Sequence, residues 1–311
     1  MPGTSEEFKV LEDLCGVHSP SGEEWVMKDF LLNYIRENQA RWKIQPELIY
    51  GDGFQDCLML RFGNPKTAAI AHMDTTGFMV RYQDQLIPIG SPEIEKSDIL
   101  VGNDSLGPIE CKVKIDNNYH VTYNFPRAIQ TGTTLSYKKS FEEAKKYIYS
   151  PYLDDRVGIY NLLKIAETLE NGLLIFSCWE EHGGGSVPFL IKHAYEKYEI
   201  RNVLISDITW ITDGVHFGEG VVISVRDRNI PRRPFIDKII KLAQINQIKY
   251  QLEVESAGSS DGREVQLSPY PIDWCFIGAP EEKAHSSREK ISMEDIREMI
   301  RFYRCLFEQL A

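Results

Sequence analysis

Apolar positions in this chain change period several times, and each change marks an element. SEEFKVLEDLC, from Ser5, carries them at helical spacing. A break at HSPSGEE follows, and Ser21 there is placed to cap a second helix, EEWVMKDFLLNYIREN. Short strands are expected around 46–62, with a turn at GDG (51–53), and TAAIAH, 67–72, reads as an apolar strand ending in His72. From 77 to 148 the pattern becomes short alternating segments (FMVRY, QLIPIG, DILVG, ECKVKI, YHVTY) separated by Gly, Pro, Asn and Asp. That predicts a β-rich insertion rather than βαβ units.

Helix–strand alternation resumes at Asp154. VGIYNLLKIAETLE is amphipathic and stops at Asn171-Gly172. Strands are predicted at 173–178, 202–206, 221–226, 250–255 and 272–278, and helices at 186–198, 234–247 and 292–310. The expectation is an α/β fold: a mixed central sheet flanked by helices, with a small β-rich domain inserted. Residues 1–76 and 149–311 form the discontinuous α/β part, and 77–148 the insertion.

Composition narrows the partners. The chain is 42% hydrophobic and 26% charged with net charge −11, which disfavours nucleic acid and anionic membrane, since both attract basic faces. No stretch approaches the roughly 18–20 apolar residues of a membrane span. The opening MPGTSEEFKVLEDL has neither a basic start nor an apolar signal core. The six cysteines form no CxxC pair and several lie in apolar runs, as reduced core residues do. Together these read as a cytoplasmic protein.

The candidate chemistry lies at the ends of the apolar runs. In an open α/β sheet, ligands bind beyond the carboxyl ends of the strands, so residues distant in sequence meet at one edge. TAAIAHMD ends in His72 and Asp74, LLIFSCWEE in Glu180 and Glu181, NVLISD in Asp207, and His285 follows IDWCFIGAPEEKAH. His72 and Asp74, two apart on a strand, face the same way. The carboxylate can then support the imidazole, as metal-bound histidines require. Asp154-Asp155-Arg156 precedes a helix, where one Asp serves as cap. The other is left over, and a carboxylate can bridge two cations. Glu180-Glu181 precede three glycines, residues that permit unusual backbone angles. An unpaired Asp207 in so apolar a strand would be costly. His120 and His193 read as ordinary surface or packing residues, as do His18 and His216 in loops; His182 follows the acid pair directly.

The order H-x-D, D-D-R-x-G, E-E with glycines, S-D-I-T and H-S-x-x-E resembles the M42 family of cocatalytic-metal aminopeptidases, within the wider M28-like zinc exopeptidase group. LCGVHSPSGEE, HFGEGVVISVRD and GSSDGREVQ extend the resemblance over almost the whole chain. It implies two divalent ions, zinc with cobalt or manganese as alternatives, bridged by Asp154. His72 and Asp207 would complete one site, Glu181 and His285 the other. Asp74 would orient His72, Glu180 would be the general base, and the Asp154–Asp155 peptide bond would be cis. It further implies peptide substrates with a free N-terminus and a homo-oligomer built with the help of the β insertion. The chain departs from the family in His182 with three glycines after the acid pair, in HSSRE for the commoner HSPxE, and in a shortened insertion. The alternatives are another cocatalytic hydrolase on this scaffold (a dipeptidase, carboxypeptidase or N-acyl deacylase), a glycosidase using the two glutamates, and an inactive scaffold homologue. Arg226, Arg228, Arg232, Arg233 and Arg263 either line a pocket for acidic side chains or pair with the abundant surface acids.

Overall fold

In the computed structural model, which describes residues 4–116 and 120–310, the strand Thr67–His72 lies at the middle of an eleven-stranded mixed sheet. All six of its residues are buried, as expected of a strand covered on both faces. In chain order the first elements are helices α1 (Lys9–Leu14) and α2 (Trp25–Asn38) and strands β1 (Glu47–Gly51), β2 (Gln55–Phe62) and β3 (Thr67–His72). Helix α2 opens at Glu24 with no side-chain cap, so the expected cap at Ser21 is not made. The Ser21 hydroxyl donates instead to Asp74 Oδ2 at 2.6 Å. A buried carboxylate is a stronger acceptor to serve than a helix end that water can reach.

Six short strands follow: β4 (Gly77–Val80), β5 (Leu86–Ile89), β6 (Ile99–Asp104), β7 (Gly107–Ile115), β8 (Val121–Asn124) and β9 (Thr134–Tyr137). They pair antiparallel into a second sheet, ordered β5-β4-β9-β6-β7-β8, with its own apolar cluster around Phe78, Leu100, Leu135 and Tyr137. The next strands, β10 (Glu142–Ala144) and β11 (Tyr147–Ser150), do not join it. Strand β11 lies antiparallel to residues Glu289–Ser292, so both extend the large sheet.

Helix α3 (Leu153–Ala166) leads into β12 (Gly172–Ser177), α4 (Val187–Tyr198) and β13 (Asn202–Trp210). Then come β14 (Val221–Arg226), α5 (Arg233–Ile245), β15 (Tyr250–Val254), α6 (Gly262–Leu267), β16 (Asp273–Glu282), β17 (Glu289–Ser292) and α7 (Met293–Gln309). Strands β12, β3, β13 and β16 form a parallel centre, and antiparallel strands flank it on both sides. Helix α3 is buried along almost its whole length between the sheet, α1 and α7. Helix α7 turns Ile296, Met299, Phe302, Tyr303 and Leu306 inward at helical spacing. The Tyr303 hydroxyl reaches the carbonyls of Ile205 (2.7 Å) and Ile277 (2.9 Å), tying α7 to two central strands.

One departure from regular pairing sets up the site. Strand β3 keeps register with β12 up to His72↔Ser177, but with β13 only as far as Ile70↔Ile205. Strand β13 meanwhile follows β16 to Trp210↔Glu281. A crevice therefore opens between β3 and β13 beyond Ile70, at the carboxyl edge of the parallel strands.

Candidate metal centre

The crevice is filled from the start of α3. Tyr152 adopts the left-handed region (φ +66°), the Asp154–Asp155 peptide bond is cis, and neither aspartate has helical angles. Asp155 does the capping, with Oδ1 accepting from Gly158 N at 2.8 Å. Its Oδ2 accepts from His72 N at 3.2 Å, a donor the parted β13 strand does not take. Asp154 is thereby left to face outward from the cap into the crevice. Glu289, at the end of the HSSRE motif, holds this turn from behind, with Oε2 accepting from Leu153 N (2.5 Å) and Asp154 N (3.3 Å).

Asp154 Oδ1 lies 3.1 Å from His72 Nε2, and Asp154 Oδ2 lies 3.2 Å from His285 Nε2. Asp207 Oδ1 is 4.0 Å from His72 Nε2, and Glu181 Oε2 is 3.3 Å from His285 Nε2. Two trios result, His72–Asp154–Asp207 and Asp154–Glu181–His285, each with its ligand atoms within 4.8 Å of one another. Nitrogen and oxygen donors about 2 Å from a cation stand about 3–4 Å apart, so both trios have the size of a small divalent ion's coordination shell. Asp207 sits inside β13 rather than after it, because the strand runs on to Trp210.

Asp74 is fully buried and joins three segments. Its oxygens accept from Glu180 N and Glu181 N, both at 3.1 Å, and from Ser21. The His72 ring approaches it twice, with Nδ1 3.1 Å from the Asp74 carbonyl and 3.4 Å from Oδ1. The second imidazole is oriented from the inserted segment: His285 Nδ1 lies 3.0 Å from Ser91 Oγ and 3.2 Å from the Ser91 carbonyl. The acid-pair loop turns through positive φ at Trp179 (+66°), Gly183 (+99°), Gly184 (+75°) and Gly185 (+142°), so three of its four left-handed positions are glycine. Ser186 closes its base on both backbone groups of Cys178. His182 Nδ1 accepts from Gly90 N at 3.0 Å, another tie to the small sheet, and is not in either trio.

So many acids in one dry crevice perturb each other. Burial and the Asp154 charge push Asp207 up to about 7 and Glu181 up to about 8. Burial carries Glu180 well above the carboxylate range. Burial also opposes ionisation of Asp154, but His285 and His72 outweigh it and hold that carboxylate below its ordinary range. His285, despite burial, is raised to about 10 by Asp154 and Glu181. Charges of this kind are what a pair of divalent cations would neutralise.

Glu180 lines the cavity that also contains Asp154, Asp207 and His285. Arg156, whose motif was plain but whose part was not, is fully buried and donates to the Met73 carbonyl (2.7 Å) and Ser19 Oγ (2.8 Å). The other arginines mostly meet surface acids: Arg232 with Asp273 (2.5 Å), Arg233 with Asp237 and Arg263 with Glu264 (both 2.7 Å). Glu289 and Arg156 stand in quoted motifs, but the sequence assigned neither a role, and Ser91 carried no signal at all. His18 instead bridges Thr134 and Ser136, both at 2.9 Å.

The fold that carries this centre has known counterparts. A putative aminopeptidase of Acetivibrio thermocellus is 24% identical over 338 residues, covering 94% of this chain and 96% of its own. An aminopeptidase structure from the archaeon Desulfurococcus kamchatkensis superposes with a TM-score of 0.85 at 20% identity, covering 98% of this chain and 95% of that one. The Pyrococcus horikoshii TET1 peptidase matches with a TM-score of 0.83 at 18% identity over 97% and 99%. The sequence model of the M42 glutamyl aminopeptidases matches residues 111–302, a span that includes Asp154, Glu180, Glu181, Asp207 and His285, and the chain belongs to that family.

Proposed function

We propose that this chain is a two-metal aminopeptidase that removes the first residue from peptides with a free N-terminus. The observation that supports it most is Asp154, whose two oxygens face two different histidines in two ligand trios. His72, Asp154 and Asp207 would hold one divalent ion, and Asp154, Glu181 and His285 the other. Bound there, the ions supply positive charge that acidifies water and polarises a carbonyl. The all-nitrogen-and-oxygen donor set suits zinc, cobalt or manganese.

Glu180 lines the cavity beside both trios without belonging to either. In this reading it takes the proton of the attacking water and hands it to the leaving amine. Asp74 is a positioning residue: it steers His72 and fixes the backbone of both glutamates. The small sheet, placed at 77–148 by sequence, touches the site through Ser91 and Gly90. We assign it to substrate access and to assembly of a homo-oligomer. The related TET1 peptidase can assemble into a tetrahedron or a large octahedral shell. Among the described residues no helix is long and apolar enough to cross a membrane, and all six cysteines are free. Both fit a cytoplasmic enzyme.

The test is a comparison of amino-acid anilides with N-blocked and C-blocked peptides, before and after metal removal. Free-amine substrates should be cleaved, C-blocking should be tolerated, and chelation should abolish turnover until zinc, cobalt or manganese is returned. Cleavage confined to N-blocked substrates would mean a deacylase or carboxypeptidase on the same scaffold.

A further inference from the structure

From the metal trios a cavity of about 140 Å³ runs outward between the ends of β13, β14 and β15. Its inner end is Asp154, Asp207, His285 and Glu180. Its wall is apolar where Ile208, Phe276 and the exposed Trp210 line it. Its far end carries three carboxylates. Asp227 follows β14, and Glu253 and Glu255, two apart, come from the carboxyl end of the neighbouring parallel strand β15. Residues two apart on a strand share a face, so this topology delivers both glutamates to the same side.

None of the three acids forms an ion pair among the described residues, although the neighbouring Arg226 charge is felt at Asp227. Among the described residues no Lys, Arg or His nitrogen lies within 4.0 Å of any of them. Asp227 and Glu253 are nonetheless nine-tenths buried. The contacts they do have are uncharged: Asp227 Oδ1 accepts from Asn229 N at 2.5 Å, and Glu253 Oε1 accepts from the Thr209 hydroxyl. Arg226, the nearest cation in sequence, donates its Nε to the Asp227 backbone carbonyl at 3.2 Å rather than to a carboxylate. Buried acids without a cation are costly unless one is delivered. Burial accordingly raises both Asp227 and Glu253 above the ordinary range.

A second cavity flanks Glu180 and is of mixed charge, with Asp261 and Glu264 in its lining and Arg263 paired to Glu264 at 2.7 Å. It is lined by Arg228 and Arg263 and touches no member of either trio. Glu180 lines both cavities, but only the acidic one is also lined by trio members, where the aminopeptidase reading places the substrate's first residue. The acidic cavity, continuous with the ligands, is therefore on the side of the first side chain.

Resting on the aminopeptidase reading above, we propose that this acidic cavity binds the first side chain of the substrate and selects lysine or arginine there. The aliphatic stem packs on Ile208, Phe276 and Trp210, and the cationic head reaches Asp227, Glu253 and Glu255. A glutamate side chain, the residue in the family's name, would instead bring a further carboxylate against three.

The experiment measures kcat/KM of the metal-loaded enzyme on lysyl, norleucyl, leucyl and glutamyl p-nitroanilides. Norleucine matches the stem of lysine without its charge. Lysyl should exceed norleucyl at least tenfold and glutamyl at least a hundredfold. The double variant Glu253→Gln/Glu255→Gln should bring the lysyl-to-norleucyl ratio down at least tenfold, chiefly through KM. Should the double variant not fold, Glu255→Gln alone, at a partly exposed position, should lower the same ratio severalfold. Equal or faster cleavage of norleucyl or glutamyl substrates by the wild type overturns the cavity assignment while leaving the aminopeptidase intact. Cleavage of N-blocked substrates alone overturns both.

Discussion

Asp154 serves two neighbourhoods with one side chain, and under the two-metal reading that makes it the most sensitive position. Replacing His72 or His285 removes a donor from one trio; replacing Asp154 removes a donor from both. Asp154→Ala should therefore lose both ions, and elemental analysis that still finds two per chain would remove it from the bridging role. Glu180→Gln should differ in kind. It should keep both ions while kcat falls about 10²–10⁴-fold, the range of a lost general base; full turnover in that variant would rule out the assignment. At this scale the sequence was informative where a polar residue interrupts or directly follows an apolar run, as at His72 and Asp207. Asp154 was separable from Asp155 only as the acid left over once a cap is subtracted, and the cap proves to be Asp155. Ser91 was not legible at all. Its contact with His285 spans 194 positions, and nothing local to a serine in a loop points that far.

At the element scale, α3 packs against β13 with no room for a side chain at Gly158. A Cβ added at Gly158 would stand 2.0 Å from the Ser206 carbonyl oxygen and 2.2 Å from Asp155 Oδ1. Neither a strand carbonyl nor a capping carboxylate can swing aside as a flexible side-chain end can. Gly158→Ala should destabilise the protein by about 2–3 kcal/mol or more, the range for overpacked cores. Denaturant melts would read this directly, and an unchanged midpoint would show that α3 can slide. The alternation of apolar runs and amphipathic stretches gave β3, β14 and α7 almost residue for residue, because periodicity reports burial. It stopped short for β13 and β16, whose extensions carry Asp207 and Glu281 on the site side. There the demand for charge in the crevice breaks the apolar pattern while backbone pairing continues to Trp210↔Glu281. Helix α6 and strand β17 were missed as well: each is short, and each is held by tertiary contacts, not by propensity.

For the molecule as a whole, the crowded acids couple stability to pH and to metal. Burial first, then neighbouring charge, raises Glu24 to about 7, Asp261 to about 6, Asp207 to about 7 and Glu181 to about 8. Each binds its proton more tightly folded than unfolded. Their contribution is therefore fully present below about pH 4 and is lost as pH rises through these values. The metal-free protein should melt at progressively lower temperature from pH 5 to pH 8. Zinc or cobalt should raise the melting temperature more at pH 8 than at pH 5, because protons and cations compete for the same oxygens. A metal-free melting temperature that climbs across this window would contradict the arrangement. The general architecture was legible because long periodic segments dominate it; the exact edge of the small sheet was not, since β11 finds its partner at Glu289–Ser292, far along the chain. The same long separations have a consequence during synthesis. The first trio has all its members only after residue 207 is made, and the second waits for His285, 25 positions before the last residue described, Leu310, with α7 still to dock against the sheet. A nascent chain thus carries Glu180 long before the second trio is complete. Under the two-metal reading, such a chain is unable to cut while these segments are being made, and becomes a peptidase only once α7 has docked against the sheet.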